Sequence, residues 1–290
     1  MDLTTFAVQL LNALQYGLVL FLVSVGLTLV FGILGIINLA HGSFYMLGAY
    51  LGFWITLQTG SFALALVGGV AIAFAAGLLL EDVFVRRLYG RDHLAQVLLS
   101  FALILIIDEL RQILFGKDVH SVAPPAFLRG AIQLTENLSY PVYRLAVCGF
   151  CLVVAAIIFV VLRSTKIGMI VRAGAENREM TRALGIPFDR VNRYVFAVGI
   201  ALAALGGIVV APISTVYPGM GDGILILSFV VVVLGGIGSV AGAAIGALVI
   251  GLTDTFGKVL LPSAASVSIY VVMAVVLLWR PNGILGRREV

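Results

Sequence analysis

The chain has 290 residues, of which 61% are hydrophobic and only 11% charged, with a formal net charge of +4. Soluble domains carry about 25% charged residues, and a globule of this length cannot hide so much apolar surface from water. A soluble enzyme is therefore excluded, the modest positive charge does not point to a nucleic-acid partner, and lipid is the solvent that fits. Apolar stretches reach the length of about 20 residues that crosses a bilayer. They are continuous rather than alternating, which predicts helices rather than a β-barrel. The expected fold is an all-α integral membrane protein, a single transmembrane domain over 1–290.

In chain order, apolar segments fall near 6–30, 33–57, 62–85, 94–115, 142–162, 194–216, 224–256 and 267–279. The N-terminus carries Asp2 and no basic stretch, and its apolar run outlasts a signal peptide, so no cleaved leader is expected. Between the first two segments lies Ile37-Asn38-Leu39-Ala40-His41-Gly42-Ser43-Phe44-Tyr45. Asn38, His41 and Tyr45 share one helical face, and polar groups inside a membrane segment tend to line a cavity. Hydrogen bonding between helices explains them equally well. A single histidine with no second ligand at helical spacing is not a metal site, and no cofactor is indicated.

The outer turns of the fourth segment carry Asp108-Glu109-Leu110-Arg111. Asp108 and Arg111 are spaced to pair along a helix; the alternative is an anionic patch that attracts a substrate ammonium group. Cys148 and Cys151 lie in an apolar run and read as small buried hydrophobes.

Basic residues set the orientation. Arg86, Arg87 and Arg91 form one cluster; Arg163 to Arg193 a second; Arg280, Arg287 and Arg288 close the chain. These regions, including 163–193 and the C-terminus, are placed in the cytoplasm, and 116–141 outside. Parity then requires 224–256 to double back at Gly235-Gly236-Ile237-Gly238-Ser239, leaving arms of only about 16–25 Å, so this turn is expected at membrane depth. The same argument folds 6–57 back near 31–43 and leaves the N-terminus outside. Glycines punctuate both regions, which suggests two related halves with interrupted helices near a substrate path, although glycines also serve close helix packing. The count is about 8–9 transmembrane helices with broken or re-entrant segments.

The polar stretch 167–192 contains a short helix of two to four turns. Glu176, Asn177 and Glu179 open it, and Gly185 with Pro187 stops it. So short a helix is marginal in water and must dock, either on its own membrane domain or in a partner's cleft.

At these residues the chain resembles the permeases of branched-chain amino acid importers of the ATP-binding-cassette (ABC) class, the LivH type within the hydrophobic amino acid uptake family. The resemblance runs through Phe31-Gly32 to Gly42, Arg172-Ala173, Ala175-Glu176, Gly185-Ile186, Asp189-Arg190-Val191, Leu234 to Ser239 with Gly242, and Arg280 to Gly286. It implies that the short cytoplasmic helix is a coupling helix seated on an ATPase. Arg172, Glu176, Asn177, Gly185, Ile186, Asp189 and Arg190 would then belong to the coupling region. Asn38, His41, Gly42, Ser43, Tyr45, Asp108, Glu109, Gly235, Gly236, Gly238 and Ser239 are the expected substrate-pathway residues. It further implies a second homologous permease subunit, two ABC ATPase subunits, a periplasmic substrate-binding protein, and a multi-pass place in a bacterial inner membrane. The substrates it implies are leucine, isoleucine and valine, or other amino acids, urea or short amides. No Gly-x-x-x-x-Gly-Lys-[Ser/Thr] loop is present, so ATP hydrolysis falls to separate subunits. The rival reading is a self-sufficient secondary transporter or channel.

Overall fold

A computed structural model describes residues 3–135 and 138–286. It comprises helices α1 (Leu3–Leu34), α2 (His41–Thr59), α3 (Phe62–Val83), α4 (His93–Phe115), α5 (Val142–Ser164), α6 (Lys166–Glu176), α7 (Arg178–Ala183), α8 (Phe188–Val210), α9 (Met220–Gly235), α10 (Val240–Leu260) and α11 (Ala265–Trp279). One small antiparallel hairpin, β1 (Ala131–Thr135) and β2 (Leu138–Pro141), pairs Ala131 with Pro141 and qualifies the all-α expectation. Among the described residues six helices are long and apolar enough to cross a membrane, namely α1, α3, α5, α8, α10 and α11 with its preceding turn; α9 is apolar but has 16 residues.

Most apolar segments became helices within a few residues of their expected limits. The segment expected at 194–216 is instead α8 at Phe188–Val210. Hydropathy misses the charged first turn, where Asp189 suits the helix N-terminus, and Pro212 has no N–H with which to continue the helix.

The centre of the bundle is α8, packed by α1, α2 and α3. Small residues let these backbones approach: Gly26 lies against Gly199, Gly48 against Ala204, and Gly207 against the Tyr45 carbonyl. With little hydrophobic drive between helices in lipid, such close packing carries much of the association. Peripheral helices turn large apolar side chains outward, including Ile113, Leu114 and Leu278.

The two ends of the bundle differ. At one end Arg193 pairs with Asp82 (2.7 Å) and Arg86 with Asp189 (3.8 Å), joining the first two basic clusters. The C-terminal tail lies at this end too, lining a groove with Arg163 and Arg172. At the opposite end His120 and Val216 exchange backbone hydrogen bonds of 2.8 Å, and Asn12 accepts from Tyr140 (3.2 Å) and Arg144 (2.8 Å).

Candidate functional site

Both glycine-punctuated regions break their helices. Residues 35–40 separate α1 from α2, and residues 236–239 separate α9 from α10. The second break meets the last turns of α1, just before the first: a methyl group on Gly32 would lie 2.6 Å from the Gly238 Cα. In each region a helix runs toward the basic end, breaks, and is followed by one running away.

The depth of the second break differs from expectation. Ile237, Gly238 and Ser239 share a groove of about 1440 Å³ with Arg163, Arg172, Glu176 and Asn282, at the basic end rather than deep among the spans. The short arm α9 reaches that end because it starts deep. Gly221, in its first turn, lies against Gly42. Gly42 follows His41, whose ring touches Gly26 beside Gly199, the middle of α8. It is therefore the link 211–219 that dips into the bundle.

The free carbonyls that end α9 are met by the C-terminal tail. Ile284 N–H donates to the Leu234 carbonyl (2.8 Å) and Leu285 N–H to that of Gly235 (3.1 Å). Ser239 caps α10 by accepting from Gly242 N–H (3.0 Å), and Gly235 packs on the Gly242 backbone. The sequence reading used Arg280 to Gly286 only as part of a resemblance and missed this role; two glycines, Gly283 and Gly286, beside the helix-ending Gly236 were the available signal.

Of the expected pathway residues, Asn38, His41, Gly42, Ser43 and Tyr45 are buried within the subunit. His41 is 0% exposed, and its Nε2 bonds the Val23 carbonyl at 2.9 Å. Asn38 Oδ1 accepts from Ala40 N–H (3.1 Å) and shapes the turn into α2. His41 thus ties α2 to α1, whereas Asn38 acts within the turn. The Asn38 Nδ2 and His41 Nδ1 atoms have no hydrogen-bond partner among the described residues.

Asp108 and Glu109 are exposed, whereas Arg111 is only 2% exposed. Arg111 donates to Asp108 (2.8 and 3.1 Å) and to the Gly116 carbonyl (2.7 Å), and lies over the Tyr50 ring at 5.7 Å. It thus caps the C-terminus of α4, where a cation suits the helix dipole. Nearby, His120 stacks on Phe53 with ring centroids 4.2 Å apart, a contact between the 116–141 loop and α2 that no sequence periodicity announced.

The expected coupling helix is two helices. Glu176 ends α6 rather than opening the short helix. Asn177 leaves the helical conformation (φ −151°) and caps α7, accepting from Met180 N–H at 2.8 Å. Asparagine competes for backbone donors and so starts a new helix here. Gly185 has φ +79°, the left-handed stop anticipated from its type. Asp189 pairs with Arg182 (3.1 Å) across the turn into α8. Arg172 donates to the Leu162 carbonyl and fixes α6 to the end of α5. Arg190 is exposed, and it lines a shallow groove with Ile186 and Arg182.

A family model described as the permease component of the branched-chain amino acid transport system matches residues 9–279. The chain is 31% identical over 299 residues to the high-affinity branched-chain amino acid transport system permease protein BraD of Pseudomonas aeruginosa, covering 97% of this chain and 96% of that one. It is 32% identical over 302 residues to the protein LivH of Escherichia coli, of the same description, covering 98% and 97%. A probable branched-chain amino acid transport permease protein LivH of Methanocaldococcus jannaschii is 25% identical over 293 residues, covering 95% and 91%. No solved structure matches the chain. The chain belongs to the family of branched-chain amino acid transport system permease components.

Proposed function

We propose that the chain is a membrane-spanning permease subunit of an ABC importer, passing branched-chain or other hydrophobic amino acids across a bacterial inner membrane. It would act with a second homologous permease subunit, two ATP-hydrolysing subunits and a periplasmic binding protein. The observation that carries this reading is the α6–α7–α8 element. A helix of six residues, capped by Asn177 and stopped at Gly185, stands at the basic end with Met180 59% and Leu184 73% exposed. Apolar side chains among arginines at an aqueous end call for a partner surface, and a helix this short gains stability by docking.

The gathering of the basic clusters at that end supports a cytoplasmic location for it. The N-terminus and the 116–141 region then face outward. Glu176, Asp189 and Arg190 would flank the docked helix, Arg172 and Gly185 would set its position, and Ile186 would border it. Asn38, His41 and Tyr45 would act on transport by holding the first break closed against α1, since a zwitterion cannot pass over them without parting α2 from α1. The partner claim is tested by cysteine cross-linking at Leu184 in the assembled importer. A cross-link to the ATPase subunit that changes on nucleotide binding supports the reading; a Leu184 position equally open to soluble reagent with and without the ATPase refutes it.

A further inference from the structure

The groove at the basic end is amphipathic along its depth. Phe31, Phe159 and Leu162 line its apolar part, while Arg163, Arg172 and Asn282 line its polar part. Arg163 ends α5, and its guanidinium lies 5.6 Å from the centre of the Phe159 ring. A guanidinium held there sits at the level where apolar spans give way to charged chain. Arg172 spends one nitrogen on the Leu162 carbonyl and keeps further donors. Glu176 also lines the groove, so among the described residues one carboxylate accompanies two guanidinium groups.

We infer that this groove is a binding site for an anionic phospholipid, its phosphate held between Arg163 and Arg172 and one acyl chain lying over Phe31, Phe159 and Leu162. Three observations select that occupant. The volume, about 1440 Å³, exceeds what a free anion or an amino acid fills. The apolar part has no use for a soluble anion. The excess of positive charge, placed at the membrane–water boundary, is the pattern by which pockets between helices hold acidic headgroups. The site adjoins the tail and the break at 236–239, so a bound lipid would brace α6 against the end of α9. The inference depends on the chain spanning a membrane and is independent of which solute it carries.

The test uses the full chain, purified in detergent and stripped of lipid, with binding read by native mass spectrometry. Phosphatidylglycerol should bind about tenfold more tightly than phosphatidylcholine with the same acyl chains, because both present a phosphate but only phosphatidylcholine adds a quaternary ammonium that opposes the two guanidinium groups. Arg163→Gln should remove that preference and Arg163→Lys should retain most of it. Asn282→Asp, which adds a carboxylate to the same wall, should weaken phosphatidylglycerol alone. Equal binding of the two lipids, or an unchanged preference in both Arg163→Gln and Asn282→Asp, overturns the inference. So does displacement of phosphatidylglycerol by inorganic phosphate, which would make this a soluble-anion site. Displacement by leucine would place the groove on the solute route and overturn it equally.

Discussion

Gly236 joins α9 to the break, and its replacement by alanine separates two accounts of the glycines. Its φ is +101°, a region that costs an L-residue about 1–3 kcal/mol. A methyl group there would lie 2.4 Å from the Gly286 nitrogen and 2.9 Å from the Asn282 carbonyl oxygen. Backbone cannot yield as a side-chain tip can, so the tail must move. Its two hydrogen bonds to Leu234 and Gly235 are worth about 1 kcal/mol each. The expected loss is therefore about 3–5 kcal/mol. Gly149→Ala is the control: it lies within α5 with nothing within 4 Å of the added methyl group, and alanine there should be neutral or stabilising by up to about 1 kcal/mol. Both variants are unfolded by sodium dodecyl sulfate titration, and tail exposure is followed by limited proteolysis. If Gly236→Ala were as stable as Gly149→Ala with its tail still protected, the reasoning from the break would be wrong.

Ile284→Pro removes the donor that caps the Leu234 carbonyl and should lower stability by about 1–3 kcal/mol, measured by the same titration. His41→Leu leaves the Val23 carbonyl without its 2.9 Å partner; stability should fall by a similar amount, about 1–3 kcal/mol, with unchanged KM for solute in whatever folded protein remains. A raised KM at normal stability would instead return His41 to the solute route. Asp189→Asn breaks two exposed ion pairs, to Arg86 and Arg182. It should cost under about 1 kcal/mol of stability yet raise the ATP consumed per solute imported. Cysteines at Leu184 and Phe127, which are 73% and 83% exposed, should label from opposite sides of the membrane when Cys148 and Cys151 are replaced; labelling from one side contradicts the orientation.

Length and type of most helices were legible because lipid demands long uninterrupted apolar runs, and both breaks were legible because clustered glycines and parity agreed. The starting depth of α9 was not. Hydropathy counts residues but cannot say that 211–219 dips inward, since that depends on Gly42 meeting Gly221. The role of His41 stayed open in the sequence for a related reason. A polar side chain in an apolar segment signals a partner, and sequence cannot tell a distant backbone carbonyl such as that of Val23 from a water-filled route. Glu176 was placed in the short helix because acids favour helix starts, whereas the side chain of Asn177 took the cap. The pairing of residues 284 and 285 with the end of α9 joins positions some fifty residues apart, beyond any local pattern.

On the proposed function, this chain moves solute only as part of an ATP-driven assembly. The most direct test is uptake of radiolabelled leucine into proteoliposomes holding this chain, its second permease and the ATPase subunits, with the binding protein outside and ATP inside. Uptake should disappear when ATP, the ATPase or the binding protein is left out. Leucine uptake by this chain alone, driven by an ion gradient without ATP, would contradict the proposal.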